Sequence, residues 1–101
     1  MSRSRPLDGI RVVEVGQLLA GPFAGTLLAY FGAEVIKVEP PGTGDPIRTW
    51  RLVDDDGTSY WWRSLARNKK SVTANLKSEA GRDVVRRLMS TADVVIENFK
   101  P

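Results

Sequence analysis

Ile10-Arg11-Val12-Val13-Glu14-Val15, then Gly16-Gln17-Leu18-Leu19-Ala20-Gly21, then Pro22 to Phe31, then Gly32-Ala33, then Glu34-Val35-Ile36-Lys37-Val38: taken in that order, residues 10–38 decide the fold. The first segment is short, β-branched and preceded by the turn signal Asp8-Gly9, so it reads as a strand. An uncharged glycine loop follows. Pro22 stands where a helix would begin, because its fixed φ and missing N–H suit the first helical position. Phe23, Leu27, Leu28, Tyr30 and Phe31 form an apolar stripe at helical spacing, and Gly32 closes the helix in the left-handed conformation. Glu34 to Val38 is then a second strand. The uncharged run Gly16–Ala33 approaches the length of a membrane span. Its four glycines, with Pro22 and Gln17, make it a buried loop and helix instead.

The pattern continues outward. Pro40-Pro41-Gly42-Thr43-Gly44-Asp45-Pro46 excludes regular structure. A looser region runs from Ile47 to Arg67, with a surface turn at Asp54-Asp55-Asp56-Gly57 and the aromatic run Tyr60-Trp61-Trp62 after it. Ser71 to Leu76 reads as a third strand. Ser78 can N-cap a helix from Glu79 to about Thr91, with Val84, Val85, Leu88 and Met89 on one face and an Asp83–Arg87 ion pair on the other. Asp93 to Glu97 carries Val94-Val95-Ile96, suited to a buried parallel strand. Short apolar strands alternating with helices imply right-handed crossovers and an α/β, doubly wound parallel sheet with helices on both faces.

Composition narrows the function. At 101 residues the chain is one domain, residues 1–101, and 42% apolar with 27% charged residues places it among globular chains rather than disordered ones. Met1 to Arg5 is polar, basic and expected to fray. There is no cysteine and no histidine. A disulfide framework, a cysteine nucleophile, a Ser-His-Asp triad and a zinc site of the usual type are excluded, so acid–base work falls to carboxylates, Lys or Tyr. A net charge of +3 does not argue for nucleic acid and suits a small anionic ligand. No signal peptide is evident, which makes the cytoplasm the default compartment with an organelle left open.

Ligands of open α/β sheets bind beyond the carboxyl ends of the strands. The candidate places are the loop after the first strand (Gly16 to Gly21), the loop after the second (Glu39 to Asp45), and Asn98 with Phe99 after the last. The first loop resembles a dinucleotide site, with Glu39 about 18 residues after Gly21 where a ribose acid would stand. Its glycines, however, are spaced Gly16-x4-Gly21-x3-Gly25, and Pro22 removes an N–H. Close helix–strand packing is the plainer reason for them. Gly42-Thr43-Gly44-Asp45 is no Walker A loop. The cluster Arg63, Arg67, Lys69, Lys70 beside Trp61 and Trp62 could hold a nucleotide by stacking, but a solvated face is the favoured reading.

Several pieces, in order, resemble one family. They are Leu7-Asp8-Gly9-Ile10-Arg11-Val12-Val13-Glu14, Leu19-Ala20-Gly21-Pro22-Phe23-Ala24, Gly32-Ala33-Glu34-Val35-Ile36-Lys37-Val38-Glu39, Gly44-Asp45-Pro46-Ile47-Arg48, Asn68-Lys69-Lys70-Ser71 and Ala92-Asp93-Val94-Val95-Ile96-Glu97-Asn98-Phe99-Lys100-Pro101. Together they look like the N-terminal region of class III CoA transferases, the CaiB/BaiF family. The resemblance implies a Rossmann-like, CoA-binding portion of a larger fold that assembles as interlocked homodimers.

The resemblance further implies transfer of CoA from an acyl-CoA donor to a carboxylic acid. An aspartate attacks the donor thioester to give a mixed anhydride, and the CoA thiolate returns to form an enzyme thioester. Acyl-CoA is then a substrate, and no tightly bound cofactor, nucleic acid or membrane is expected. The family's nucleophilic Asp lies beyond residue 101, so no catalytic residue is expected in this chain, which reads as truncated near Pro101 and inactive alone. What carries over is CoA contact by Gln17, Leu18, Leu19 and Ala20, by Ala74 and Lys77, and by Asn98 and Phe99. Some members place an arginine after the glutamate that ends the second strand, where this chain has Pro40. The phosphate cation must come from elsewhere, with Arg48, Lys77 or residues beyond 101 as candidates. An α-methylacyl-CoA racemase of the same superfamily, or a stand-alone CoA- or dinucleotide-binding module, are the alternatives.

Overall fold

The computed structural model describes residues 4–101. Strand β1 (Arg11–Glu14), helix α1 (Ala20–Tyr30), strand β2 (Glu34–Glu39), a 3-10 turn (Pro46–Thr49), helix α2 (Tyr60–Leu65), strand β3 (Lys69–Thr73), helix α3 (Glu79–Ser90) and strand β4 (Val94–Ile96) follow one another. The four strands form one sheet in the order β3-β2-β1-β4. Every pairing is parallel, with Val12 opposite Val35 and Val94, and Val38 opposite Val72. The expected α/β, Rossmann-like parallel sheet is therefore present.

Alternation along the strands sends neighbouring residues to opposite faces. Val12 and Val35 pack with Ala29 of α1 and with Ala33. Val13, Val15 and Val38 pack with Ala74 and with Val85 of α3, joined by Leu88 and Met89. The helices thus cover opposite faces. Parallel connections keep one hand, so a crossover running from β1 to β2 and one running back from β3 to β4 must lie on different sides.

Several expectations are corrected. α1 begins at Ala20, with Leu19 as its cap, so Pro22 is its third residue. No N–H of a first turn has an intrahelical partner, so proline costs nothing there either. Most of the expected apolar stripe faces outward: Phe23 is 51% and Phe31, just past the helix, 53% exposed, with Leu27 and Tyr30 between, whereas Leu28 packs against the cluster of Val12 and Val35. The helix buries Gly21, Pro22, Gly25, Thr26 and Ala29 instead. Over Glu14 it lies so close to the sheet that a Cβ on Gly25 would fall 2.0 Å from the carboxylate. Strand β3 starts two residues earlier than expected and ends at Thr73, and the aromatic run forms α2, where the Ser59 hydroxyl accepts from the Trp61 N–H. β4 is an edge strand with Val94 and Val95 exposed, against the expectation of burial.

Other readings hold. Gly32 has φ +107. The Ser78 hydroxyl accepts from the Gly81 N–H at 3.0 Å, and Asp83 pairs with Arg87 at 3.0 Å. Of the N-terminal segment expected to fray, Met1–Arg3 lie outside the described residues, and Arg5 pairs with Asp8 at 3.0 Å. Among the described residues no helix is long and apolar enough to cross a membrane.

Candidate functional site

Three strand ends converge on a cleft of about 170 Å³, lined by Gln17, Val38, Glu39, Pro40, Ala74, Asn75, Leu76 and Lys77. Gln17 comes from the end of β1, Val38 to Pro40 from β2, and Ala74 to Lys77 from the turn between β3 and α3. That turn is fixed by its own bonds. The Asn75 carboxamide oxygen accepts from the Lys77 N–H, and its backbone carbonyl accepts from the Ser78 N–H and hydroxyl. A side chain at position 81 would strike the Asn75 carbonyl at 1.9 Å, so glycine there lets the turn seat against α3.

The strand order reverses between β1 and β4, the place where doubly wound sheets open a crevice. Here Asn98 closes it. Its carboxamide accepts from the Gln17 N–H at 2.8 Å and donates to the Gln17 carbonyl at 3.0 Å. A Cβ on Gly16 would lie 2.2 Å from the Asn98 oxygen, and one on Gly21 3.0 Å from it. The Val15 and Gly16 N–H groups both donate to the Ile96 carbonyl. The glycines of this loop therefore serve close packing, as expected.

The next residue, Leu18, has φ +69, a left-handed conformation that costs a non-glycine residue about 1–2 kcal/mol. Its N–H donates to Asp45 Oδ1 at 2.9 Å. Asp45 belongs to a buried charge network that the sequence analysis did not anticipate. Lys37 Nζ lies 2.6 Å from Asp45 Oδ2 and 2.7 Å from Glu14 Oε2. Lys69 Nζ lies 2.8 Å from Glu14 Oε1 and donates to the Pro22 carbonyl at 2.7 Å. Glu14 and Lys37 are register partners whose side chains are 0% and 2% exposed. Two cations balance two anions, as burial requires. Burial pushes the Lys69 ammonium below its ordinary pKa against the opposing pull of Glu14.

Glu39, which lines the cleft, is a third buried carboxylate. It accepts two bonds from Arg48, both at 2.7 Å, one from the Asp45 N–H at 2.8 Å, and one from the Ser71 hydroxyl. With every lone pair engaged inside the chain, it is not free to hold a ribose. Arg48 also stacks over Trp62 at 3.8 Å. Its Nε and Nη2 are held by Glu39, while the side chain stays partly exposed and lines a second cavity with Pro40, Gly42, Thr43 and Gly44. The Lys69 side chain, 3% exposed, departs from the solvated face expected of it, whereas Lys70 pairs with Glu34, Arg63 with Asp56, and Arg67 donates to Tyr30 near the surface.

Of the residues singled out by sequence, Gln17, Ala74 and Lys77 line the cleft. Asn98 acts on Gln17, and Leu18 is held by Asp45. Leu19 and Ala20 start α1, which no side chain caps and whose first turn carries no acid. Such a terminus favours an anion. Phe99 is half exposed beyond β4 and does not line this cleft. Asn75 and Leu76 were missed, as was the network. Its signal was Glu14 and Lys37, each a charge set between apolar neighbours, Val13 and Val15 for one and Ile36 and Val38 for the other.

CoA-transferase family III matches residues 7–101. A succinyl-CoA–D-citramalate CoA-transferase of Chloroflexus aurantiacus is 58% identical over 97 residues, 96% of this chain and 24% of that protein. A succinate–glutarate CoA-transferase of Agrobacterium fabrum is 49% identical, over 98% of this chain and 26% of that protein. A CAIB/BAIF family protein from Brucella suis superimposes with a TM-score of 0.87 at 48% identity, covering 97% of this chain and 27% of the other. The chain spans about a quarter of the length of the relatives it matches.

Proposed function

The chain belongs to CoA-transferase family III, and from that premise we propose that it forms the CoA-binding part of an enzyme that moves CoA from an acyl-CoA to a carboxylic acid. The observation that carries this reading is the convergence of Gln17, Ala74 and Lys77 on one cleft at the carboxyl ends of three parallel strands. The cleft's 170 Å³ is smaller than a site for a whole cofactor, about 300–1,000 Å³. It accommodates one portion of CoA, with the rest of the molecule extending along the loop Gln17 to Ala20 and past Asn98 and Phe99. Lys77, exposed at the rim, supplies positive charge, and the uncapped start of α1 supplies backbone donors.

The proposed chemistry is covalent. A carboxylate attacks the thioester carbonyl, the C–S bond breaks, and CoA leaves as thiolate while an acyl anhydride forms. The thiolate then attacks the enzyme-derived carbonyl of that anhydride, releasing the donor's acid and leaving an enzyme thioester. The acceptor carboxylate attacks this thioester in turn, and the returning thiolate completes its acyl-CoA. Glu39 and Asp45 are buried and fully hydrogen-bonded, so neither serves as the nucleophile. In this reading the nucleophilic carboxylate comes from outside these 101 residues. Succinyl-CoA is the proposed donor and a short dicarboxylate the acceptor, by analogy with the named relatives. The assembled enzyme is a homodimer of the cytoplasm in the same reading, and the outward apolar face of α1 is where it needs a covering surface.

The test uses protein expressed from its complete reading frame, assayed with succinyl-CoA and with citramalate, glutarate or malate. Expected are ping-pong transfer and a rise of about tenfold in the KM for acyl-CoA in Lys77→Met, the worth of one charge-assisted phosphate contact. Absence of CoA binding by the wild-type protein would overturn the reading.

A further inference from the structure

Asp45 lies in a loop that the family reading assigned no role, yet its carboxylate is the junction between the buried charges and the loop after β1. Oδ1 accepts from the Leu18 N–H and from the Ile47 N–H, each at 2.9 Å, and Oδ2 is clamped by Lys37 at 2.6 Å. Lys37 is itself fixed by Glu14 on β1, and Glu14 by Lys69 on β3. The Asp45 N–H is held by Glu39 at the end of β2. Asp45 is therefore attached to the ends of two strands before it reaches Leu18. Leu18 is the residue with the costly left-handed backbone, and nothing about a leucine favours that conformation.

Resting on the CoA-binding reading above, we infer that Asp45 is a positioning residue for the CoA site: through the Leu18 N–H it holds the Gln17–Ala20 loop in the conformation that CoA meets. Asn98 fixes the loop at Gln17 and Asp45 fixes it one residue later, so the two anchors set both the place and the twist of the backbone. Lys37 and Glu14 act one step further back, by fixing the Asp45 carboxylate.

The experiment compares wild type, Asp45→Ala, Asp45→Asn, Lys37→Met and Val35→Ala, each expressed from the complete reading frame. CoA affinity is measured by calorimetric titration, and exchange of the Leu18 amide by hydrogen–deuterium exchange. Val35 is the control, since it is buried in the apolar cluster with Val12 and Ala29 and lines no part of the cleft. Asp45→Ala is expected to raise the Kd for CoA about tenfold, the worth of one charge-assisted bond, and to speed Leu18 exchange. Asp45→Asn keeps an oxygen for the Leu18 N–H and is expected to recover most of both. Val35→Ala is expected to lower the melting temperature and leave the Kd within about twofold of wild type.

Equal loss of affinity in Val35→Ala and Asp45→Ala would reduce Asp45 to a structural role and overturn the inference. An unchanged Kd in Asp45→Ala would do the same. Should Asp45→Ala not fold, Lys37→Met decides: its Kd must rise in step with Leu18 exchange, and weakened binding with wild-type exchange refutes the mechanism. If the wild type itself fails to bind CoA, the functional reading falls and the positioning role falls with it, a result distinct from each of the others.

Discussion

Replacing Glu39 by Gln removes a buried charge while keeping the side chain's shape. Burial by itself would raise the Glu39 carboxyl. Bonds from Arg48, from the Asp45 N–H and from Ser71, with the Arg48 charge, outweigh it and hold the pKa down from 4.5 to about 2. The folded state thus binds fewer protons than the unfolded one. The associated stability is complete above about pH 5 and is lost as pH falls from 4.5 toward 2. At about 1.36 kcal/mol per pH unit the full drop is worth roughly 3 kcal/mol. Arg48 is 37% exposed, so solvent screening reduces this to about 2 kcal/mol. About half of that is gone by pH 3.5, midway into the window.

Urea unfolding of wild type and Glu39→Gln, followed by tryptophan fluorescence, reads the effect because Trp62 lies directly under Arg48. The variant is expected to be less stable by about 2 kcal/mol or more at pH 6.5, the excess being the misfit of an amide N–H₂ against donors. The gap should narrow by about 1 kcal/mol at pH 3.5, since only wild type has this carboxylate to protonate. Carboxylates common to both proteins cancel in the difference. A gap that is the same at both pH values would refute the assignment of Glu39 as the group held ionised by Arg48.

Three further substitutions probe a close packing contact, an open turn and a helix cap. Gly25→Ala places a Cβ 2.0 Å from Glu14 Oε1, under a helix that cannot rise without uncovering Ala29, and should cost about 2–3 kcal/mol by chemical denaturation. Gly57→Ala, in the open surface turn at φ +83, should cost only about 1 kcal/mol, the strain of its backbone. Ser78→Ala removes the cap of α3 and should cost about 1 kcal/mol, with faster exchange at the Gly81 amide.

Strands β1 and β2 were legible in the sequence because they are short, β-branched and bounded by glycines at positions 9, 16 and 32. Helix α3 was legible for a related reason: charged and apolar residues alternate at helical spacing, with Ser78 at its start. Helix α1 misled because hydrophobicity marks what wants cover, while closeness of approach decides what faces the sheet. Glu14 and Lys37 occupy the space where large side chains would otherwise pack, so Gly25 and Ala29 line the contact. The edge strand misled similarly, since Val94 and Val95 are apolar without being covered. In the site, Gln17, Ala74 and Lys77 were found through strand ends and family likeness. Asp45 was not, because the pairs that give it meaning join residues 8 and 27 positions away, and no local spacing encodes them.

The clasp between Gln17 and Asn98 joins residues 81 positions apart. Ribosomes deliver the first of them long before the second, and loop closure over that distance comes late in folding. The turn proposed to meet CoA is thus among the earliest of these 101 residues to be made, and its clasp waits for nearly the last of them. Until Ile96 has paired with β1 and Asn98 has settled over Gly16 and Gly21, the loop has its Asp45 anchor at Leu18 without the clasp at Gln17. The loop's shape is thereby tied to the docking of β4: a chain that stops short of residue 98 has the loop's residues without their clasp.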